Sequence, residues 1–171
     1  MYKLYNPSTY FQEISQSVKK NIYRGKSMSN LIPKNAISDL EIKRCFDVMS
    51  ELRTDLVRDQ FLGVVRDLEQ QGYQLAYLEE DEIIVSVAGY RIAKNLFLGQ
   101  HLYIDDLVTS QKYRSRGYGK IIYNWLRDKA LNTGCSCLHL DSAVHRGETH
   151  RFYFREGLSI SSFHFREKFI Q

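Results

Sequence analysis

Leu102-Tyr103-Ile104-Asp105-Asp106-Leu107-Val108-Thr109 runs through Ser110-Gln111-Lys112 into Tyr113-Arg114-Ser115-Arg116-Gly117-Tyr118-Gly119-Lys120, and the reading of this stretch decides the fold. Its first part is rich in β-branched, aromatic and aliphatic residues, interrupted only by the two aspartates, and polar residues end it. That is a strand. Past the glycines, Ile122, Trp125, Leu126 and Ala130 fall at the i, i+3, i+4, i+8 spacing of a helix that buries one face. The glycines therefore sit at a helix N-terminus. There the first amides have no intrahelical partner and the macrodipole is positive, and glycine lets a ligand approach the backbone closely. Arg114, Arg116 and Lys120 add positive charge, so the junction is expected to seat a phosphate or pyrophosphate. It is neither of two better-known phosphate motifs. The Walker spacing and its Ser/Thr after Lys120 are absent, and Ile122 stands where the dinucleotide pattern has its third glycine.

Working outward, the chain on the N-terminal side reads as two helices and two strands. Ser38 or Asp39 is an N-cap, with Glu41 close behind, for a helix to about Asp55 burying Cys45, Met49, Leu52 and Leu56. A second helix carries Phe61, Val64, Val65 and Leu68 on one face and ends before Gly72. Tyr73 to Leu78 is a strand, Glu79 to Asp81 a turn, and Glu82 to Ile92 an antiparallel strand. A turn at Asn95 to Gln100 leads into the strand at Leu102. Asn30 to Pro33 is a candidate first strand. On the C-terminal side the helix stops at Gly134, and Cys135 to Asp141 is a strand with Leu138 and Leu140 alternating against Cys137 and His139. A helix of about Glu148 to Glu156 follows, stopped by Gly157, and Leu158 to Phe169 reads as one or two closing strands. A strand-turn-helix-strand unit of this kind implies a parallel pair inside a mixed sheet.

The whole is a single domain by length, 171 residues, with 43% hydrophobic and 26% charged residues as in ordinary water-soluble domains. No apolar run nears the roughly 20 residues of a membrane span, and no secretory leader pattern opens the chain. Cys45, Cys135 and Cys137 are odd in number and lack metal-type spacing, which fits reduced thiols and a cytoplasmic location. Residues 1–26 hold five cations (Lys3, Lys19, Lys20, Arg24, Lys26) against Glu13, which accounts for the whole net charge of +4. We treat 1–26 as a basic extension and 27–171 as the domain. Within the extension Phe11, Ile14, Val18 and Ile22 recur at helical spacing, so residues 9–23 form a candidate short amphipathic helix. The charge alone is compatible with a membrane surface or nucleic acid, but no aromatic-basic stripe elsewhere supports nucleic acid as a partner.

The strand ending Asp106-Leu107-Val108, the sequence Tyr113-Arg114-x-x-Gly117-x-Gly119, and downstream Phe152-Tyr153-x-x-x-Gly157-Leu158 together resemble the GNAT superfamily of acetyl-CoA-dependent N-acetyltransferases. The resemblance spans about residues 30 to 171, with 39 residues from Arg114 to Tyr153. It implies an α/β fold of the α+β type. Helices flank a mixed, mostly antiparallel sheet whose two middle strands splay apart, with acetyl-CoA in the opening and the acceptor amine entering from the other side. By resemblance, Leu107, Val108 and Thr109 hold the pantetheine arm through their backbone. Arg114, Ser115, Arg116, Gly117, Tyr118, Gly119 and Lys120 hold the pyrophosphate, and the amide of Val108 or Thr109 faces the developing oxyanion. Two departures stand out. An asparagine common between the fifth strand and the next helix is here Arg146 or Gly147, and the proline common before the Tyr-Arg pair is absent.

Acetyl transfer needs a deprotonated amine, a polarised carbonyl and a thiolate that leaves with help. The family's tyrosine at the position of Tyr153 is the expected donor to the sulfur. For the base, Asp141 at the end of the fifth strand ranks ahead of Asp106 in the central strand; adjacent strand residues face opposite ways, so at most one of Asp105 and Asp106 should face the cleft. No metal is expected, the histidines being dispersed and the chemistry requiring none. The expected function is transfer of acetyl from acetyl-CoA, as cosubstrate, to a primary amine of a small molecule or protein by direct attack. The alternative is a non-catalytic acyl-CoA-binding or regulatory module of the same fold. A homodimer is an open expectation. Glu51, Arg53, Asp55, Arg58 and Asp59 in the helices expected to roof the acceptor site carry both signs of charge, so composition does not select the amine.

Overall fold

The computed structural model describes residues 31–169; the basic extension and its candidate helix lie outside them. In chain order the elements are β1 (Lys34–Asn35), α1 (Asp39–Arg44), α2 (Phe46–Ser50), α3 (Arg58–Glu69), β2 (Tyr73–Glu80), β3 (Ile83–Asn95), β4 (Gly99–Thr109), α4 (Tyr118–Asn132), β5 (Cys137–Leu140) and α5 (Gly147–Arg155). The five strands form one sheet in sequence order. β1 to β4 are antiparallel neighbours, whereas β4 and β5 run parallel. The mixed sheet read from the sequence is therefore present.

Strand alternation sends side chains to two layers. Leu75, Tyr77 and Val87 pack with Ile42, Cys45, Met49, Phe61 and Val65 from α1, α2 and α3. Ala76, Ala88, Tyr90, Leu102 and Ile104 pack with Ile122, Tyr123, Leu126 and Ala130 of α4. Helices thus cover both faces, which explains why the central strands are apolar almost continuously. α1 starts at a capping box: Ser38 Oγ accepts from the Glu41 amide at 3.3 Å, and Glu41 Oε2 accepts from the Ser38 amide at 2.8 Å.

Four expectations need correction. The helix read as continuous from residue 39 to 55 is broken at Cys45, whose amide is shared between the carbonyls of Glu41 (3.3 Å) and Ile42 (3.0 Å), so the turn tightens there. It ends at Ser50; just beyond, Glu51 accepts from Ser110 Oγ at 2.8 Å and from the Gln111 amide at 2.6 Å, and Arg53 Nε donates to Asp106 Oδ1 at 2.6 Å. The first strand is Lys34–Asn35 rather than within 30–33, and the β2–β3 turn is Asp81-Glu82, both with positive φ (47° and 64°), a two-residue hairpin turn matched to the sheet's twist. Residues 158–169 contain no strand. Their apolar alternation changes phase at Ser161-Ser162, so Leu158 and Ile160 would face opposite to Phe163 and Phe165, and no single face can be buried. Ile160, Phe163 and Phe165 are exposed.

Candidate functional site

The site begins where two neighbouring strands part. The β4–β5 ladder pairs His101 with Cys137 through to Ile104 with Leu140 and then stops, while β4 continues to Thr109 against β3. Asp105 and Asp141 are the next residues on the two strands, so they flank the split. A β-bulge lies at the same point: Gly89 opposes Asp106 and Tyr90 opposes Ile104, leaving Asp105 as the extra residue.

Beyond the bulge the backbone of β4 is open on one edge. The Ser110 amide donates to Val85 O at 2.9 Å, so alternation turns the Val108 amide toward β3 and the amides of Leu107 and Thr109 toward the opening. Ser86 Oγ donates to the Val108 carbonyl at 2.8 Å, confirming that direction. The amides that face the opening are thus those of Leu107 and Thr109, and the Val108 amide is turned away from it toward β3.

The glycine turn lies beside this edge. Gly117 is the N-cap of α4 with φ 89°, a left-handed conformation that disfavours other residues, and Ser115 is also left-handed at φ 61°. The amides of Ser115, Arg116, Gly117, Tyr118 and Gly119 donate to no group among the described residues; the first helical bonds are those of Lys120 and Ile121 to the Gly117 carbonyl. Five free donors at the positive end of a 15-residue helix make an anion seat. A Cβ on Gly119 would stand 3.2 Å from Thr109 Oγ1, so its absence lets the first helical turn lie close to the strand end.

One cavity of about 1170 Å³ contains these pieces: Leu107, Val108, Thr109, Arg114, Ser115, Gly117, Tyr118, Gly119 and Lys120, with Asp141 and Tyr153 on its other wall. That volume is at or above the usual range of roughly 300–1,000 Å³ for small-molecule sites, so an elongated nucleotide thioester is accommodated. Free amides, a left-handed glycine and an open strand edge in one cavity fit acetyl-CoA. Arg116 does not line it; its guanidinium lies 5.4 Å from the Tyr113 ring. Arg114 lines the cavity and anchors it, Nε donating to the Thr109 carbonyl at 3.2 Å, and Lys120 is 3.3 Å from Glu156.

Tyr153, on α5, has no hydrogen-bond partner for its hydroxyl among the described residues. Burial pushes its phenol up to about 12, Arg146 working against this and Tyr123 with it, so the proton is held at neutral pH. Asp141 Oδ2 accepts from the Tyr103 hydroxyl at 2.8 Å and lies 3.2 Å from His164 Nδ1. Its Oδ1 has no such partner among the described residues. Asp106 is elsewhere: buried outside the large cavity, it takes Arg53 Nε on Oδ1 at 2.6 Å and the Tyr73 hydroxyl on Oδ2 at 3.0 Å. Asp105 lines the cavity, with both oxygens held by Arg91 at 2.9 and 3.0 Å.

Sequence reading missed Arg53 as a bridge, Arg91, Tyr73, Tyr103 and Gly89. A Cβ on Gly89 would stand 2.0 Å from Tyr73 Oη, so this glycine exists to let the phenol reach Asp106. The signal was available, since a lone glycine inside a strand marks a bulge or a close approach. Arg146, noted only as a departure, lines the cavity. Among the described residues no group of three or more His, Cys, Asp or Glu is placed to hold a metal, and no helix is long and apolar enough to cross a membrane.

A sheet opened between parallel neighbours over a glycine-led helix is also found in known acetyltransferases. Residues 37–157 match the Acetyltransferase (GNAT) family, and the chain belongs to it. It is 34% identical to the uncharacterized N-acetyltransferase YhdJ of Bacillus subtilis (strain 168), over 78% of this chain and 96% of that one. It is 27% identical to the aminoalkylphosphonate N-acetyltransferase of Salmonella typhimurium, over 71% and 77%. Among solved structures, the aminoglycoside N-acetyltransferase AAC(6')-Iy in complex with CoA superposes with a TM-score of 0.71 at 12% identity, covering 86% of this chain and 98% of that one, which shows a shared fold.

Proposed function

We propose that this acetyltransferase moves acetyl from acetyl-CoA to a primary amine by direct attack within a ternary complex. The observation that carries the reading is the convergence in one cavity of five unpaired amides at a glycine-led helix start, an open β4 edge and an unpaired, protonated Tyr153 hydroxyl. When bound, acetyl-CoA supplies an activated acyl thioester. The residues of this chain do the rest. The amides of Ser115 to Gly119 receive the pyrophosphate. The open β4 edge aligns the pantetheine arm, and the Thr109 or Leu107 amide stabilises charge on the carbonyl oxygen. Asp141, steadied on Oδ2 by Tyr103, offers its free Oδ1 to the proton of the incoming ammonium. The Tyr153 hydroxyl donates to the departing sulfur, and its high pKa keeps that proton available at neutral pH. Asp106 is left outside this scheme because both oxygens are engaged away from the cavity.

The non-catalytic alternative predicts cofactor binding without turnover. Measuring free CoA release with acetyl-CoA and a panel of primary amines separates the two. Acetyl-CoA at about 100 times its dissociation constant should add roughly 2.7 kcal/mol to stability. Release dependent on the amine, lost in Asp141→Asn, supports the enzyme; saturable stabilisation with no release from any amine supports the binding module. Membership of the acetyltransferase family supports action in the cytoplasm.

A further inference from the structure

A second cavity, of about 420 Å³, lies between α3 and the sheet, and it differs from the first in its chemistry. Its floor is apolar: Met49, Leu56, Phe61, Val65 and Leu68 line it, with Tyr73 beside them. Its rim carries Arg53 and Arg91 against Asp55, Asp105 and Asp106, two cations facing three carboxylates. Arg53 is bonded to Asp106 and Arg91 to Asp105, so the excess negative charge resides on Asp55, which has no ion-pair partner among the described residues. Arg53 and Asp105 also line the large cavity, and Asp105 stands at the bulge where β4 and β5 separate. The small cavity therefore opens beside the acyl end of the large one.

We propose that this cavity is the acceptor pocket, and that the acceptor is a primary amine on an apolar aliphatic or aromatic body, without an anionic group. This rests on the acetyltransferase reading above. The body fills the space between α3 and the sheet, where burial of apolar surface provides the affinity. The ammonium lies at the shared boundary marked by Arg53 and Asp105, on the side of the large cavity that holds Asp141, and the surplus charge of Asp55 on the rim of the small cavity favours its approach. An aminoalkylphosphonate would bring up to two negative charges to a rim that already has one in excess, against the apolar floor. The charge balance of this rim thus separates the present chain from what the name of its Salmonella relative describes.

The test measures CoA release with acetyl-CoA across n-alkylamines from ethylamine to hexylamine, 2-phenylethylamine and 2-aminoethylphosphonate. It adds calorimetric titration of 2-phenylethylamine into the CoA-bound protein. Val64 lines the cavity mouth and is 40% exposed, so Val64→Arg obstructs the pocket at little cost to the fold; Val64→Phe obstructs it without adding charge. We expect kcat/KM to rise about fourfold per methylene until the cavity is full. 2-Phenylethylamine should exceed 2-aminoethylphosphonate by at least tenfold, and both variants should reduce that ratio at least threefold with acetyl-CoA affinity unchanged. A flat alkylamine series, a preference for the phosphonate, or indifference to both variants overturns the pocket while leaving the enzyme reading intact. Failure to acetylate any amine overturns the enzyme reading; 2-phenylethylamine binding that Val64→Arg weakens would still support the pocket.

Discussion

The two sides of the opened sheet are made of different material. On the glycine side the groups turned to the cavity are main-chain amides of residues 115–119 and the free edge of β4, close in sequence and led by one left-handed glycine. On the other side the hydrogen bonds join side chains from distant elements: Arg53 after α2, Tyr73 on β2, Arg91 on β3, and Asp105 and Asp106 on β4. Main-chain donors need only a local conformation, so a motif can encode them. Crossed side-chain pairs need the register of three strands and the seating of a helix, and no short motif describes that.

The largest expected effect tests the side-chain side. Gly89→Ala places a methyl where Tyr73 Oη now sits, forcing the phenol away and leaving buried Asp106 short of a donor. Overpacking and a lost hydrogen bond to a charged group together should cost about 3 kcal/mol, a melting drop of roughly 6–12 °C in calorimetry. A variant as stable as the parent would mean that Tyr73 moves freely and the network is not rigid.

Gly117→Val attacks the main-chain side. The left-handed φ disfavours a β-branched residue by about 1–2 kcal/mol, and the side chain blocks backbone approach to phosphate. Acetyl-CoA affinity should fall at least tenfold, about 1.4 kcal/mol, with the fold retained by circular dichroism. Unchanged affinity would move the pyrophosphate away from this turn.

Tyr153→Phe sharpens the comparison at the wall between the two sides, since the ring stays and only the hydroxyl goes. A positioned proton donor typically contributes about 10²–10⁴-fold, so kcat should drop at least tenfold with acetyl-CoA affinity within about threefold. Intact kcat with a lowered melting temperature would make the hydroxyl structural.

The smallest effect is expected at Glu41, part of a local device distant from both sides. Hydrogen bonds from the Ser38 backbone and hydroxyl, the Ile37 amide and the Tyr77 hydroxyl hold its carboxyl down to about 2 from an ordinary 4.5. The folded pKa lies below the unfolded one, so this contribution is present above about pH 4.5 and is lost as pH falls toward 2. Glu41→Gln should therefore flatten the melting temperature's decline across that window; an identical acid slope in parent and variant would show that the capping box does not couple to folding.

Local signals in the sequence determined the order of helices and strands from residue 39 to 156, the Ser38–Glu41 cap, the helix stops at Gly72 and Gly134, and the left-handed glycine turn that starts α4. Each depends on neighbours within a few positions: a 3.6-residue or two-residue period, a capping side chain, a residue free to take positive φ. The tertiary structure decided what depends on distant partners. The bulge at Asp105, set by Gly89 across the ladder, sent Asp105 to the cleft and left Asp106 to Arg53 and Tyr73, where simple alternation had only allowed one of the two to face inward. Strand direction chose Leu107 and Thr109 over Val108, and the helix that periodicity alone would have prolonged ends at Ser50, with Glu51 and Arg53 beyond it bonded to distant residues. Residues 158–169 failed to form a strand for the same reason: alternation states a preference for pairing, and only a ladder partner and a continuous buried face convert it into structure.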